Sequence, residues 1–206
     1  MIKKNIFAVI LAAGASSRMG TSKMALKWAS TTVLETTISN VKGASVSDIL
    51  LVTGGYLDLI QNLPGVIETD QVHNPDYASG EMISSIKLAL GYLQRSNGIP
   101  DAVLVLPGDM PLISSQLIDQ VAADWLESPH KIVAPVFGKQ RGHPVIFPYS
   151  LFAEFETLPA DASPRDLIKA NAHLLKLVPI DDHAVVVDVD TPAEYEKHRP
   201  ESTPLD

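Results

Sequence analysis

The sequence predicts an α/β fold built around a mostly parallel central sheet. Continuous apolar runs, such as residues 6–11 and 102–106, are typical of parallel strands that are covered on both faces. Between these runs apolar residues recur at helical spacing, as they do over residues 33–41, where Gly43 then provides a stop signal. Because strands alternate with helices along the chain, an α/β architecture is expected rather than separate all-helical and all-strand parts.

Each predicted element follows from its own pattern. Strands are predicted at residues 6–11, 49–53, 65–69, 102–106, 131–137, 144–147, 174–180 and 184–187. Helices are predicted around residues 33–41, 82–93, 113–125, 151–158, 164–172 and from Thr191, where Pro192 suits a first turn. Ligands of such sheets bind beyond the carboxyl ends of the strands. The loops after residues 11 and 106 are therefore expected to lie close together.

Composition limits the function classes. The 206 residues suit one domain, expected over residues 1–197, with a loose polar tail at 198–206. The net charge of -8 argues against a nucleic-acid partner, which needs a basic face. Thiolate sites are excluded because the chain has no cysteine. The run at residues 6–13 is too short to span a membrane, so a cytoplasmic protein with no membrane partner is expected.

The segment from Leu11 to Lys23 reads LAAGASSRMGTSK and follows the first predicted strand. Its small residues let backbone N–H groups approach a phosphate closely. Arg18 offers a planar fork for phosphate oxygens, and Lys23 offers a mobile point charge. The alternative is a flexible connection with solvated cations. The spacing matches neither the phosphate loop of purine-nucleotide hydrolases nor the dinucleotide fingerprint.

Two aspartates and one histidine stand at loop positions where either a structural or a chemical role is open. Asp109 follows a buried strand and suits Mg²⁺, which prefers oxygen ligands, but it could equally belong to a turn or cap a helix. Asp190 precedes Thr191 and Pro192 and faces the same choice. His143 lies in a Gly-His-Pro loop, where it could shape the turn or contact an anionic acceptor.

The segment from Leu11 to Lys23 resembles the signature of the nucleotidyltransferases that activate sugars and cofactors. Four further segments sharpen this likeness to the molybdenum cofactor cytidylyltransferases over most of the chain. They are Asn74-Pro75 with Gly80, Met82 and Ser85; Leu106-Pro-Gly-Asp-Met-Pro111; Arg141-Gly-His-Pro-Val-Ile-Phe147; and Asp188-Val-Asp-Thr-Pro192. The chain departs from the family pattern at Glu81, between Gly80 and Met82, and lacks the usual proline-like element after Lys23.

The resemblance implies a Rossmann-like three-layer nucleotidyltransferase fold and an enzyme that transfers CMP from CTP to the molybdenum cofactor, with Mg²⁺ as cofactor and pyrophosphate as product. It assigns Asp109 and Asp190 to the metal and sets Asp188 aside. It gives catalytic roles to Arg18, Lys23 and Asp109. Nucleotide binding falls to Leu11, Ala12, Ala13, Gly14, Arg18, Lys23, Gly80, Ser84 and Ser85, and acceptor binding to Arg141, Gly142 and His143.

Three alternatives stay open beside this interpretation. The GTP-dependent guanylyltransferases of the same cofactor tend to read Leu-Ala-Gly-Gly where this chain has Ala13 as its second alanine. A sugar-1-phosphate nucleotidyltransferase shares the superfamily signature. A non-catalytic module that delivers cofactor to a molybdenum hydroxylase apoenzyme would need no retained Arg18, Lys23, Asp109 and Asp190. A molybdenum hydroxylase apoenzyme is also an expected partner of the enzyme itself.

Overall fold

The computed structural model describes residues 5–14, 22–78, 82–95 and 99–200. The strands in these ranges are β1 Ile6–Ala12, β2 Lys27–Trp28, β3 Thr31–Thr32, β4 Ile49–Thr53, β5 Asp70–His73, β6 Ala102–Pro107, β7 Ile132–Phe137, β8 Gln140–Arg141, β9 Val145–Pro148 and β10 Leu175–Pro179. The α-helices are α1 Val33–Lys42, α2 Leu57–Ile60, α3 Pro64–Ile67, α4 Met82–Arg95, α5 Ser115–Glu127, α6 Phe152–Thr157, α7 Pro164–Ala170 and α8 Pro192–His198.

The main sheet runs in the order β10-β7-β9-β6-β1-β4-β5, and β8 pairs with β7. Strand β1 lies between β4 and β6 and is parallel to both. Strand β9 is antiparallel to both of its neighbours, β6 and β7. The predicted α/β fold with a mostly parallel sheet is therefore confirmed.

Helices cover the sheet on both faces, which makes three layers. Along β1 the side chains of Ala8 and Ile10 pack on one face, in a core cluster that also contains residues of α1 and α5. Val9 and Leu11 point to the other face, in a cluster with residues of α4, α6 and α7. The continuous apolar run of β1 is explained by this burial on both sides. Within the described ranges no helix is long and apolar enough to cross a membrane, and α4 has 14 residues.

Two predicted strands are wrong. Residues 65–69 lie mostly in α3, which starts with Pro64 at a first-turn position, and the strand of this region is β5, further along the chain. Residues 184–187 lie mostly in a 3-10 helix, His183–Val186, whose first turn is capped by Asp182 accepting from the Ala184 N–H at 2.9 Å. Short apolar runs do not distinguish a strand from a buried helical turn.

Candidate functional site

Three charged side chains from distant parts of the chain meet beyond the carboxyl ends of the central strands. Lys23 opens a 3-10 helix, Asp109 follows β6, and Asp190 stands just before α8. The Lys23 Nζ atom forms ion pairs with Oδ2 of Asp109 and Oδ1 of Asp190. Burial alone would lower the pKa of Lys23, but the two carboxylates outweigh it and raise that pKa. The lysine is therefore held charged between two acids.

A small apolar cluster holds these segments together. Trp28 and Val33, which follow Lys23 in the chain, pack against Val189, and all three are nearly fully buried. The Val189 N–H donates to the backbone carbonyl of Asp109 at 3.0 Å. Burying side chains of this size stabilises the junction by roughly 1.5–3 kcal/mol each. The cluster thus fixes Asp190 beside Asp109.

Neither aspartate caps an α-helix, so the capping alternative is wrong for both, whereas Asp109 does lie in the turn that follows β6. The Thr191 side chain accepts from the Glu194 N–H at 3.2 Å and caps α8 in place of Asp190. Ser114 caps α5, the next α-helix after Asp109. The Oδ1 atom of Asp109 is buried and has no hydrogen-bond partner among the described residues. A buried carboxylate oxygen without a partner is costly unless a cation or water meets it.

Asp188, which the sequence analysis sets aside, joins the other two acids. One carboxylate oxygen from each of Asp109, Asp188 and Asp190 lies within 4.8 Å of the others. Burial raises the pKa of Asp188, and the nearby charges of Asp190 and Asp109 raise it further. Three crowded carboxylates that have Lys23 as their cationic partner within the described ranges, together with the unpartnered oxygen of Asp109, fit a hard divalent cation. The signal for Asp188 was its spacing of two residues from Asp190.

The predicted nucleotide-binding residues that the structure describes lie at the end of β1, follow it or stand at the start of α4. The side chains of Leu11, Ala12 and Ala13 are buried, whereas Gly14 is exposed. Only the backbone of this segment is therefore placed to line a ligand.

Ser84 and Ser85, at the start of α4, are joined to the end of β5 by a buried asparagine. The Asn74 amide donates to the hydroxyls of both serines, at 2.9 Å and 3.0 Å. Arg18 and Gly80 lie outside the described residues, so their predicted roles rest on the sequence alone.

The three residues predicted to bind the acceptor line one cleft of about 560 Å³. The His143 backbone N–H donates to the Val185 carbonyl at 2.8 Å. Burial lowers the pKa of His143 to about 4, against the opposing effect of a hydrogen bond with the Val105 backbone. A β-carbon on Gly142 would lie 2.0 Å from the Val185 carbonyl oxygen. Glycine is therefore required here because the loop packs closely against the protein's own backbone.

Sequence reasoning missed Arg165, which lines the same cleft from the first turn of α7. No motif marks this arginine, because its neighbour Arg141 is 24 residues away in the chain and only the fold brings the two together.

Comparison with known proteins identifies the family to which this chain is similar. The model of the MobA-like NTP transferase domain matches residues 8–177. The molybdenum cofactor cytidylyltransferase of Escherichia coli (strain K12) is 29% identical over 192 residues, which are 92% of this chain and 93% of that protein.

Solved structures are similar over nearly the whole chain. The crystal structure of Rv0371c from Mycobacterium tuberculosis H37Rv has a TM-score of 0.79 at 26% identity and covers 96% of this chain and 98% of its own. A manganese complex of Rv0371c has a TM-score of 0.75 at 24% identity, covering 94% of this chain and 97% of its own. The predicted family resemblance and nucleotidyltransferase fold are confirmed, while the roles of individual residues stay predictions.

Proposed function

We propose that this chain, which belongs to the MobA-like NTP transferase domain family, transfers the CMP part of CTP to the molybdenum cofactor and releases pyrophosphate. The chain is a nucleotidyltransferase enzyme. The choice of CTP and of this acceptor is supported by the Escherichia coli cytidylyltransferase, whose likeness covers nearly all of both chains.

The observation that carries the proposal is the cluster of Lys23 with Asp109, Asp188 and Asp190 at the carboxyl edge of the sheet. A lysine beside grouped carboxylates provides what transfer to a phosphate requires, namely a cation for phosphate charge and oxygen ligands for a metal. Gly14 is exposed just beyond the carboxyl end of β1, which pairs with β6, and its backbone would offer a triphosphate an N–H donor at this edge of the sheet.

The reaction consists of one displacement at phosphorus. An oxygen of the acceptor's phosphate forms a bond to the α-phosphorus of CTP, and the bond from that phosphorus to the bridging oxygen of the β-phosphate breaks, so that pyrophosphate leaves. A phosphate monoester is already a nucleophile near neutral pH, and no general base is required. Catalysis then depends on positioning and charge neutralisation, with Lys23 at the α-phosphate and Arg18 at the leaving pyrophosphate.

The metal in this proposal is Mg²⁺, held by Asp109 and Asp190 with Asp188 as a third ligand. When bound, a divalent cation would neutralise charge on the triphosphate oxygens. The manganese complex of Rv0371c supports a divalent cation in a protein of this fold.

The test is a nucleotide panel. CTP, GTP, ATP and UTP are each incubated with the chain, Mg²⁺ and molybdenum cofactor, and pyrophosphate release is measured. We expect release with CTP and a loss of roughly 10³-fold or more in Asp109→Ala. The matched control is Asp181→Ala, an exposed aspartate outside the site, which should retain full activity.

The same panel discriminates the alternatives. Preferential turnover with GTP would identify a guanylyltransferase, and turnover only when a sugar 1-phosphate replaces the cofactor would identify a sugar nucleotidyltransferase. A chain that binds CTP and cofactor without releasing pyrophosphate would contradict the proposal altogether.

A further inference from the structure

Two arginines from different elements line the cleft of about 560 Å³. Arg141 comes from the short strand β8, and Arg165 comes from the first turn of α7. The apolar part of the cleft includes Val105, Val145 and Phe147. Arg141 is half-buried, and Arg165 stands at the exposed side.

No carboxylate in the part of the chain that the structure describes neutralises the two guanidinium groups. Among the described residues neither arginine forms an ion pair with a carboxylate. Asp166, the neighbour of Arg165, instead accepts from the backbone N–H and the hydroxyl of Ser163 at 2.9 Å and 2.8 Å. Burial, and after it the charge of Arg165, lowers the pKa of Arg141. Two cations that no described carboxylate compensates, in a cleft of a chain with net charge -8, indicate an anionic ligand.

Two short chain segments connect the cleft to the acidic cluster, and the two sites share no residue. Val105 is on β6, four residues before Asp109. The second connection is the hydrogen bond that the His143 backbone N–H donates to the carbonyl of Val185, which stands three residues before Asp188. A ligand can therefore extend from the acids at the end of β6 into the cleft.

We propose that Arg141 and Arg165 together bind a second anionic group of the acceptor, an oxyanion remote from the phosphate that reacts. This inference rests on the proposed function, in which the second group is the oxo-metal end of the molybdenum cofactor. The arginine pair then orients the acceptor with its phosphate towards the acidic cluster, and neutral acceptors or acceptors with one anionic end bind poorly. Arg165 is a specificity-determining residue in this arrangement.

The first experiment measures steady-state kinetics with the molybdenum cofactor as the varied substrate. Arg141→Met and Arg165→Met each raise the KM for the acceptor about tenfold, the effect of losing one charge-assisted contact. The dissociation constant of CTP with Mg²⁺ stays within about twofold of the wild type. Arg165→Lys keeps the charge and raises the KM less than Arg165→Met does. The matched controls are Lys169→Met on α7 and Lys139→Met beside β8, exposed cations that do not line the cleft and leave the acceptor KM unchanged.

The second experiment needs no acceptor and uses inorganic molybdate as the probe. The chain has five arginines, so the side-chain Nε–Hε resonances are few enough to assign by mutation. Molybdate should saturably shift the resonances of Arg141 and Arg165, each of which should disappear in one of the methionine variants, and a separate shift at Arg18 would report the proposed phosphate site. Equal shifts at Arg95 and Arg199, or the absence of a saturable shift at Arg141 and Arg165, would overturn the anion site.

The results also separate this inference from the proposed function. An unchanged acceptor KM in Arg165→Met, or an equal weakening of CTP binding, overturns the inference while CMP transfer itself stands. Molybdate binding at the two arginines in a chain that transfers CMP to no molybdenum cofactor leaves the anion site standing and removes the proposed function.

Discussion

Replacing His143 with glutamine removes a titratable group that the fold keeps neutral. The pKa of this imidazole is lowered from 6.5 to about 4, first by burial and then by the charges of Arg165 and Arg141. In the unfolded chain the imidazole takes up a proton near its ordinary pKa, and in the folded chain it does not. The stability it contributes is therefore present above about pH 6.5 and is lost as the pH falls towards about 4.

The expected size follows from these two pKa values. From about pH 7 to about pH 5 the number of extra protons that the unfolded chain binds at His143, relative to the folded chain, rises from about a quarter to nearly one. The wild type should lose about 2 kcal/mol of unfolding free energy from this group alone, and about 3 kcal/mol over the whole interval down to pH 4. Glutamine keeps a hydrogen-bonding side chain of similar size and cannot titrate, so His143→Gln should lack this loss.

The assay is urea unfolding at about pH 7 and about pH 5, followed by the fluorescence of the two buried tryptophans, Trp28 and Trp125. The quantity compared is the change in unfolding free energy between the two pH values, because other titrating groups cancel between variants. His130→Gln, at an exposed position, is the control and should behave as the wild type. Equal pH dependence in wild type and His143→Gln would refute the reasoning, as would a His143 pKa near 6.5 in an NMR titration.

Three further predictions concern the reaction site. The Lys23→Met variant should bind Mn²⁺ roughly tenfold more tightly than the wild type in a titration followed by electron paramagnetic resonance, because a cation no longer competes for Asp109 and Asp190. Its kcat should fall. Weaker Mn²⁺ binding would contradict the idea that Lys23 and the metal compete. Asp188→Asn should weaken Mn²⁺ binding about tenfold or more in the same titration, and an unchanged affinity would leave Asp109 and Asp190 as the protein ligands. Ala13→Gly should leave the kcat/KM ratio of CTP to GTP, expected at about 10 to 200 in the wild type, nearly unchanged, because the Ala13 methyl group is buried in the core and only the backbone of this segment can line a ligand; a ratio that falls towards one would contradict this and assign base selection to the methyl group.

The buried half of the fold could be predicted from the sequence because burial on both faces leaves a strong pattern. Strand β4 has the predicted bounds, and β1 and β6 each extend one residue further. Strand β5 could not be found in this way. It lies at the edge of the sheet and is mostly exposed, so Asp70, Gln71 and His73 give it no apolar run.

Some residues of the candidate site could likewise be predicted from the sequence, and others could not. Asp109 and Asp190 stand in segments whose residue order resembles a known family, so the order of residues along the chain is enough to single them out. Asp188 stands in the same segment as Asp190, and its spacing of two residues from Asp190 was a signal that the family resemblance left unused. Arg165 has no such signal, because only the fold brings it into one cleft with Arg141.

The contact between Gly142 and the Val185 carbonyl has a consequence for engineering the enzyme. If the loop around Gly142 were exchanged with that of a relative to alter acceptor choice, the relative's equivalent of residues 183–187 would have to be exchanged with it. The two segments pack together without space for a side chain at Gly142. The tip of the same hairpin is different. Gly138 has a φ of 59° and open space around it, so residues can be inserted there at little cost, and the tip is the natural point for attaching a tether or a label.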